Sequence, residues 1–313
     1  MAKIVRPEDE NVYADITMLR RLQHYTKGFS FLPGQPANSL LAGKNVSKLR
    51  GRGLNFEELR HYRPGDDIRS MDWKVTHRTG KPHVKVYTEE RERNVFLMVD
   101  QRSSMFFGSS HKMKSVIAAE AAALVAWSIV GGGDRVGAIV YGDEGCTVIP
   151  AKRGRQHVVR LLNTIVQYNQ RLTANTPFSE HGATRLNDAL EKILVVAGKN
   201  ALICLLSDGH GWNEKTTHLL KKIRQHNELI TCHTVDPLEL KLPKMQRMVV
   251  SDGAQQIQFS SADSNIQTRY QDNIQQQLDA YSHAAKKYRI PFISINTIDP
   301  VAKQLRKALG GIG

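Results

Sequence analysis

The chain has 313 residues, enough for one large domain or two modest ones. Its 41% hydrophobic and 24% charged residues suit a soluble globular protein, and no apolar run approaches the ~20 residues that cross a bilayer. A net charge of +14 points toward an acidic protein, a nucleic acid or an anionic membrane surface, although basic residues spread along the whole chain are an equally ordinary reading. The densest acid-free cluster is Lys44, Lys48, Arg50 and Arg52. The first residues, Met-Ala-Lys-Ile-Val-Arg-Pro-Glu, lack a signal peptide's apolar core, so a cytoplasmic location is expected. Cys146, Cys204 and Cys232 are scattered, which fits free thiols better than a disulfide framework or a zinc site.

In chain order, Asp15 caps a predicted helix through Ile16, Leu19 and Leu22. Residues 28–53 read as loop, punctuated by glycine and proline. Leu54–Arg60 is a short element, Arg63-Pro64-Gly65-Asp66-Asp67 a turn, Arg69–Arg78 a short helix with Trp73 as its core anchor, and Pro82–Thr88 a half-buried strand. Val95–Val99 is uninterrupted apolar sequence ending in Asp100, the pattern of a strand buried on both faces. An alanine-rich helix follows at 115–130, closed by Gly131-Gly132-Gly133. Strands are expected at 134–141, 146–149, 201–207, 229–235 and 291–296. Helices are expected at 154–169, 184–197, 213–226, 266–288 and 301–309, with loop and short antiparallel strands over 237–262. This alternation predicts an α/β fold, a doubly wound and mainly parallel sheet over about 94–310, preceded by an N-terminal arm over 1–93 of helix, loop and short strands.

Open α/β sheets bind ligands beyond the carboxyl ends of their strands. Asp100, Ser103 and Ser104 follow the first core strand, Thr184 starts a helix, and Asp208 follows Leu202–Ser207. Carboxylates with hydroxyls are the ligand set of a hard cation such as Mg²⁺. Singly, each reads as a helix cap; at several strand ends together they read as one site.

Asp100, Ser104, the later Thr184 and Asp208 resemble the metal-ion-dependent adhesion site of von Willebrand factor type A domains. Segments 50–57, 60–74, 86–93 and 99–101, with Trp73 among them, resemble the bacterial family called domain of unknown function 58. The departure is Arg102, which stands at the third motif position where the family has serine. A guanidinium offers no acceptor and repels a cation at close range. Two arrangements are open: Arg102 turned to solvent with Ser103 substituting, or Arg102 neutralising Asp100 and Asp208 in the metal's place. The resemblance implies a non-enzymatic protein–protein adaptor, partnered by a MoxR-type AAA+ ATPase in a chaperone-like system, that grips an acidic residue of the ATPase or of a client.

Arg60, Arg63 and Arg69 alternate with Asp66, Asp67 and Asp72, a pattern that either interlocks as ion pairs or docks a partner, and the two overlap. The runner-up function is a basic nucleic-acid or anionic-membrane binder using 44–52 and 152–160; it lacks the interleaved aromatics of single-strand binders. A hydrolase at Asp100 and Asp208 lacks an evident general base. Neither a Gly-x-Ser-x-Gly elbow nor a phosphate-binding loop is present.

Overall fold

The computed structural model describes residues 9–26, 54–89, 93–174, 182–251 and 256–309, and the basic cluster at 44–52 lies outside them. The chain forms two compact units, residues 33–92 and the remainder. The boundary therefore differs from the expected arm over 1–93. Helix α1 (Ile16–Arg21), capped by Asp15 as its sequence predicts, belongs to the α/β unit. A six-residue helix cannot bury its apolar face alone. Met18 and Leu19 join the main core, and Trp127 Nε1 donates to the Leu19 carbonyl at 3.1 Å.

In the smaller unit, β1 (Leu54–His61) pairs antiparallel with β2 (His83–Glu89), and α2 (Trp73–Thr79) lies in the connection. Asp72 caps α2, and Gly80 ends it at φ +70°, a left-handed conformation that costs glycine nothing. The expectation that Trp73 anchors this segment fails: its side chain is 65% exposed. Among the described residues of this unit the two-stranded ribbon offers no interior deep enough for an indole, and the much smaller Val84 is the apolar side chain that is buried.

The larger unit is built on β3 (Asn94–Asp100), whose side chains alternate between two cores. Val95, Leu97 and Val99 pack with α3 (Lys114–Gly131) and α4 (Arg155–Asn169), whereas Phe96 and Met98 pack with α5 (Gly182–Val196) and α6 (Glu214–His226). Strand β3 pairs in parallel with β4 (Arg135–Gly142) on one side and β6 (Leu202–Ser207) on the other. Antiparallel β5 (Gly145–Lys152) closes one edge, and β7 (Glu228–Val235) and β10 (Phe292–Asn296) extend the other. The order β10-β7-β6-β3-β4-β5 reverses chain direction between β3 and β6, which makes that crevice the topological switch point. This is the doubly wound α/β fold expected. Short α7 (Pro237–Leu240) and the ribbon β8 (Met248–Ser251) with β9 (Gln256–Phe259) precede α8 (Ser264–Lys287), and α9 (Val301–Ala308) follows β10. Helix α3 is apolar over 18 residues, long enough by composition to cross a membrane, but it is 83% buried beneath its neighbours.

Candidate functional site

Strand β3 delivers Asp100 to the switch point fully buried, and β6 delivers Ser207 and Asp208 beside it. Arg102 does not turn to solvent; it is 1% exposed and lies between the two aspartates. Its Nε and Nη2 donate to both oxygens of Asp100 at 2.9 and 2.6 Å, a bidentate pair. Nη2 is also 3.7 Å from Asp208 Oδ1. Nη1 donates to the carbonyls of Gly182 at 2.6 Å and His210 at 3.1 Å. One guanidinium therefore fastens the β3 end, the start of α5 and the loop after β6. Tyr141 lies below, its ring centroid 5.6 Å from the guanidinium carbon. Ser207 Oγ donates to Asp100 Oδ2 at 2.6 Å.

A second cation completes the site. Lys114, the first residue of α3, is 2% exposed, and its ammonium donates to Asp208 at 2.9 Å and Glu239 at 2.5 Å. Glu239 also accepts the Asp236 backbone N–H, closing a capping box on α7. An ionic chain thus runs across the ends of β3, β6 and β7. Burial alone would raise the Asp208 pKa; the charges of Lys114 and Arg102 outweigh it and hold this carboxyl well below the usual carboxylate range. Burial likewise opposes the charged form of Lys114, but Asp208 and Glu239 raise its pKa. At the end of β7, buried Asp236 accepts from Ser109 and from Thr297 Oγ1 (2.6 Å) and caps α7.

The loop after β6 reaches this position through close backbone approach. Gly211 has φ +78°, and a Cβ there would fall 2.5 Å from the Ala183 nitrogen. Gly209, at φ +70°, leaves room for the Tyr281 ring, whose hydroxyl donates to its carbonyl at 2.6 Å.

The other expected site residues divide. Ser104 is buried in the short 3₁₀ turn Ser103–Met105, and among the described residues its Oγ has no hydrogen-bond partner. The Ser103 backbone N–H donates to Asp143 at 2.7 Å. Thr184 is exposed on the first turn of α5, two residues beyond the carbonyl that Arg102 holds. In the smaller unit, Asp66 accepts both Arg60 nitrogens at 2.7 Å and the Arg63 backbone N–H at 2.8 Å. The Arg60 hydrogen bonds bring its pKa down to about 2. Asp67 caps the turn at Arg69, and Asp72 pairs with Lys85 at 3.1 Å. These carboxylates interlock their own segment, while the Arg63 and Arg69 side chains are exposed.

Sequence reasoning missed Lys114, Glu239, Ser207, Tyr141 and the two glycines. The available signals were Asp208-Gly209-His210-Gly211, a turn with two flexible points, and a lysine opening an otherwise apolar helix.

The side chains as placed do not suit a divalent cation. A Mg²⁺ ligand set needs free oxygens at about 2.1 Å around an open centre, whereas both Asp100 oxygens accept N–H donors of a cation. A divalent ion about 4 Å from a guanidinium is opposed by roughly 8 kcal/mol at an effective dielectric near 20. Among the described residues no group of three or more His, Cys, Asp or Glu side chains is arranged to hold a metal.

The profile described as protein of unknown function DUF58 matches residues 58–280. The chain belongs to the DUF58 family. The uncharacterized protein Rv1480 of Mycobacterium tuberculosis is 31% identical over 221 residues, 70% of this chain and 66% of the relative's own length. The uncharacterized protein YeaD of Bacillus subtilis is 30% identical over 104 residues, 33% of this chain and 24% of that protein. Of solved structures, BatB from Bacteroides thetaiotaomicron is similar over 70% of this chain and 97% of its own, at 11% identity and TM-score 0.39. A von Willebrand factor type A protein from Catenulispora acidiphila is similar over 48% of this chain and 35% of its own, at 12% identity and TM-score 0.32. The fold assignment of this DUF58 chain rests instead on its strand order and register.

Proposed function

We propose that this DUF58 protein is a non-enzymatic interaction module that works with a MoxR-type AAA+ ATPase in the assembly, activation or remodelling of other proteins. The observation that carries the reading is the saturation of the strand-end carboxylates. Asp100, Asp208 and Glu239 are each held by Arg102 or Lys114, so the carboxylates that could act as base or nucleophile at the switch point are already engaged. The same contacts fix the loops that carry exposed Thr184 and His210, making a preorganised rim. The ATPase partnership draws its support from the family resemblance over 60–74, 86–93 and 99–101. With Arg102 where a metal would sit, the rim would meet an acidic partner through exposed side chains and not through a shared ion.

The test is to mix the purified chain with a purified MoxR-type ATPase. A saturable complex, and an ATP turnover that follows the ATPase alone, are expected. No complex at tens of micromolar, or ATP hydrolysis by this chain alone, would refute the proposal.

A second reading has one observation in its favour. Lys152, Arg155 and Arg160 are exposed where β5 meets α4, and the first turn of α4 contains no acid. They lie at the opposite end of β4 from the rim, because Lys152 pairs with Val136 while Gly145 pairs with Gly142. A nucleic acid held there would dissociate steeply with salt.

A further inference from the structure

We infer that the divalent cation implied by a type A rim is replaced here by two built-in monovalent cations, Arg102 and Lys114, which set the rim permanently and without metal. At the two strand-end aspartates the substitution balances charge, with Glu239 beyond β7 as a third carboxylate on Lys114. Asp100 and Asp208 bring two negative charges to the switch point, and Arg102 and Lys114 bring two positive ones, a divalent ion's charge divided between two side chains. The two come from different elements, the β3–α3 loop and the first turn of α3, and converge on Asp208 from Nη2 at 3.7 Å and Nζ at 2.9 Å. Both are nearly inaccessible, at 1% and 2% exposed, so neither is a surface cation that drifted inward. Arg102 adds what a metal supplies structurally: it joins loops distant in sequence, through the carbonyls of Gly182 and His210. Lys114 adds a tie to Glu239 beyond β7. A type A rim that gains and loses its ion has a control point; this rim has none, because its cations are covalently attached. The inference holds whichever protein is the partner.

Removal of one cation leaves the other to repel a metal, so both must go before the site opens. The experiment compares Mn²⁺ titrations of the chelator-treated wild-type chain and of the double variant Arg102→Ser/Lys114→Ala, read by electron paramagnetic resonance and by melting temperature. The wild-type chain is expected to show no Mn²⁺-dependent melting shift. The double variant is expected to bind Mn²⁺ at least 10-fold more tightly than either single variant, with the binding lost on further Asp208→Asn substitution. Sub-millimolar Mn²⁺ binding by the wild-type chain that is abolished by Asp208→Asn would overturn the inference. So would a folded double variant no more responsive to Mn²⁺ than the wild type. Should the double variant be unfolded without metal, its recovery of structure on adding Mn²⁺ supports the inference, and the wild-type titration remains the overturning arm.

Discussion

Arg102 closes on Asp100 with two parallel hydrogen bonds, 2.9 and 2.6 Å, although the residues are only two apart and both are buried. The chain must fold back within the first turn after β3 to make this pair, and the turn then aims the remaining guanidinium nitrogen at Gly182 and His210. Removing one member of a buried pair strands the other charge. Asp100→Ala is therefore expected to cost about 3–5 kcal/mol in urea unfolding. A cost below 1 kcal/mol would mean that the pair is not desolvated as its burial indicates.

His233 faces the Tyr281 and Phe292 rings at centroid distances of 5.5 and 5.6 Å, and burial lowers its pKa to about 4. The unfolded chain then binds more protons than the native state between about pH 4 and the ordinary histidine value near 6.5. Stability is complete above that window and falls as pH drops through it, by about 3 kcal/mol in all. Asp208 adds a separate loss at more acid pH: its depressed pKa contributes stability present above about pH 4 and lost below. His233→Phe should reduce the first slope, leaving the part that comes from His210, whose pKa burial also lowers, and should leave the second, as read by unfolding free energy against pH.

The buried amide of Asn169 accepts from the Ala14 backbone at 2.7 Å and donates to Gln101 at 2.9 Å, while Gln101 donates to the Ser115 carbonyl at 2.9 Å. This chain ties α1 to α4 and to the turn after β3. Asn169→Leu leaves the Ala14 N–H and the Gln101 carbonyl without these partners, at about 1–3 kcal/mol each. Faster exchange of the Ala14 to Leu19 amides is the expected signature, and unchanged exchange would separate α1 from this network.

Gly211→Ala places a Cβ against the Ala183 backbone at a left-handed φ, so strain and clash combine. A loss of about 1–3 kcal/mol in thermal unfolding is expected, together with weaker rim contacts. An unchanged melting temperature would show that the loop relaxes freely.

The fold was legible because β3 and β6 are apolar on both faces and lead into aspartates at their carboxyl ends, a pattern few structures other than a central parallel strand accommodate. Asp100 and Asp208 were readable as neighbours for the same reason. Lys114 was not, because a lysine before an apolar helix reads as a solvated end until the partner carboxylates, 94 and 125 residues away in sequence, are placed. Trp73 misled because its size suggests burial, whereas burial requires a core that a two-stranded ribbon does not build. The division of the first 93 residues was equally hidden: the packing of Met18 and Leu19 and the hydrogen bonds with Trp127 and Asn169 show that α1 belongs with the sheet.

The central claim is that the edge around Thr184 is the surface a MoxR-type ATPase meets. Thr184 is exposed on the first turn of α5 and takes no part in the ionic chain, so Thr184→Glu should leave the fold intact. The most direct measurement is the dissociation constant of the purified ATPase for the wild-type chain and for Thr184→Glu, whose added carboxylate repels an acidic partner, with matched melting temperatures. At least 10-fold weaker binding by the variant is predicted; equal binding would place the partner elsewhere and contradict the account.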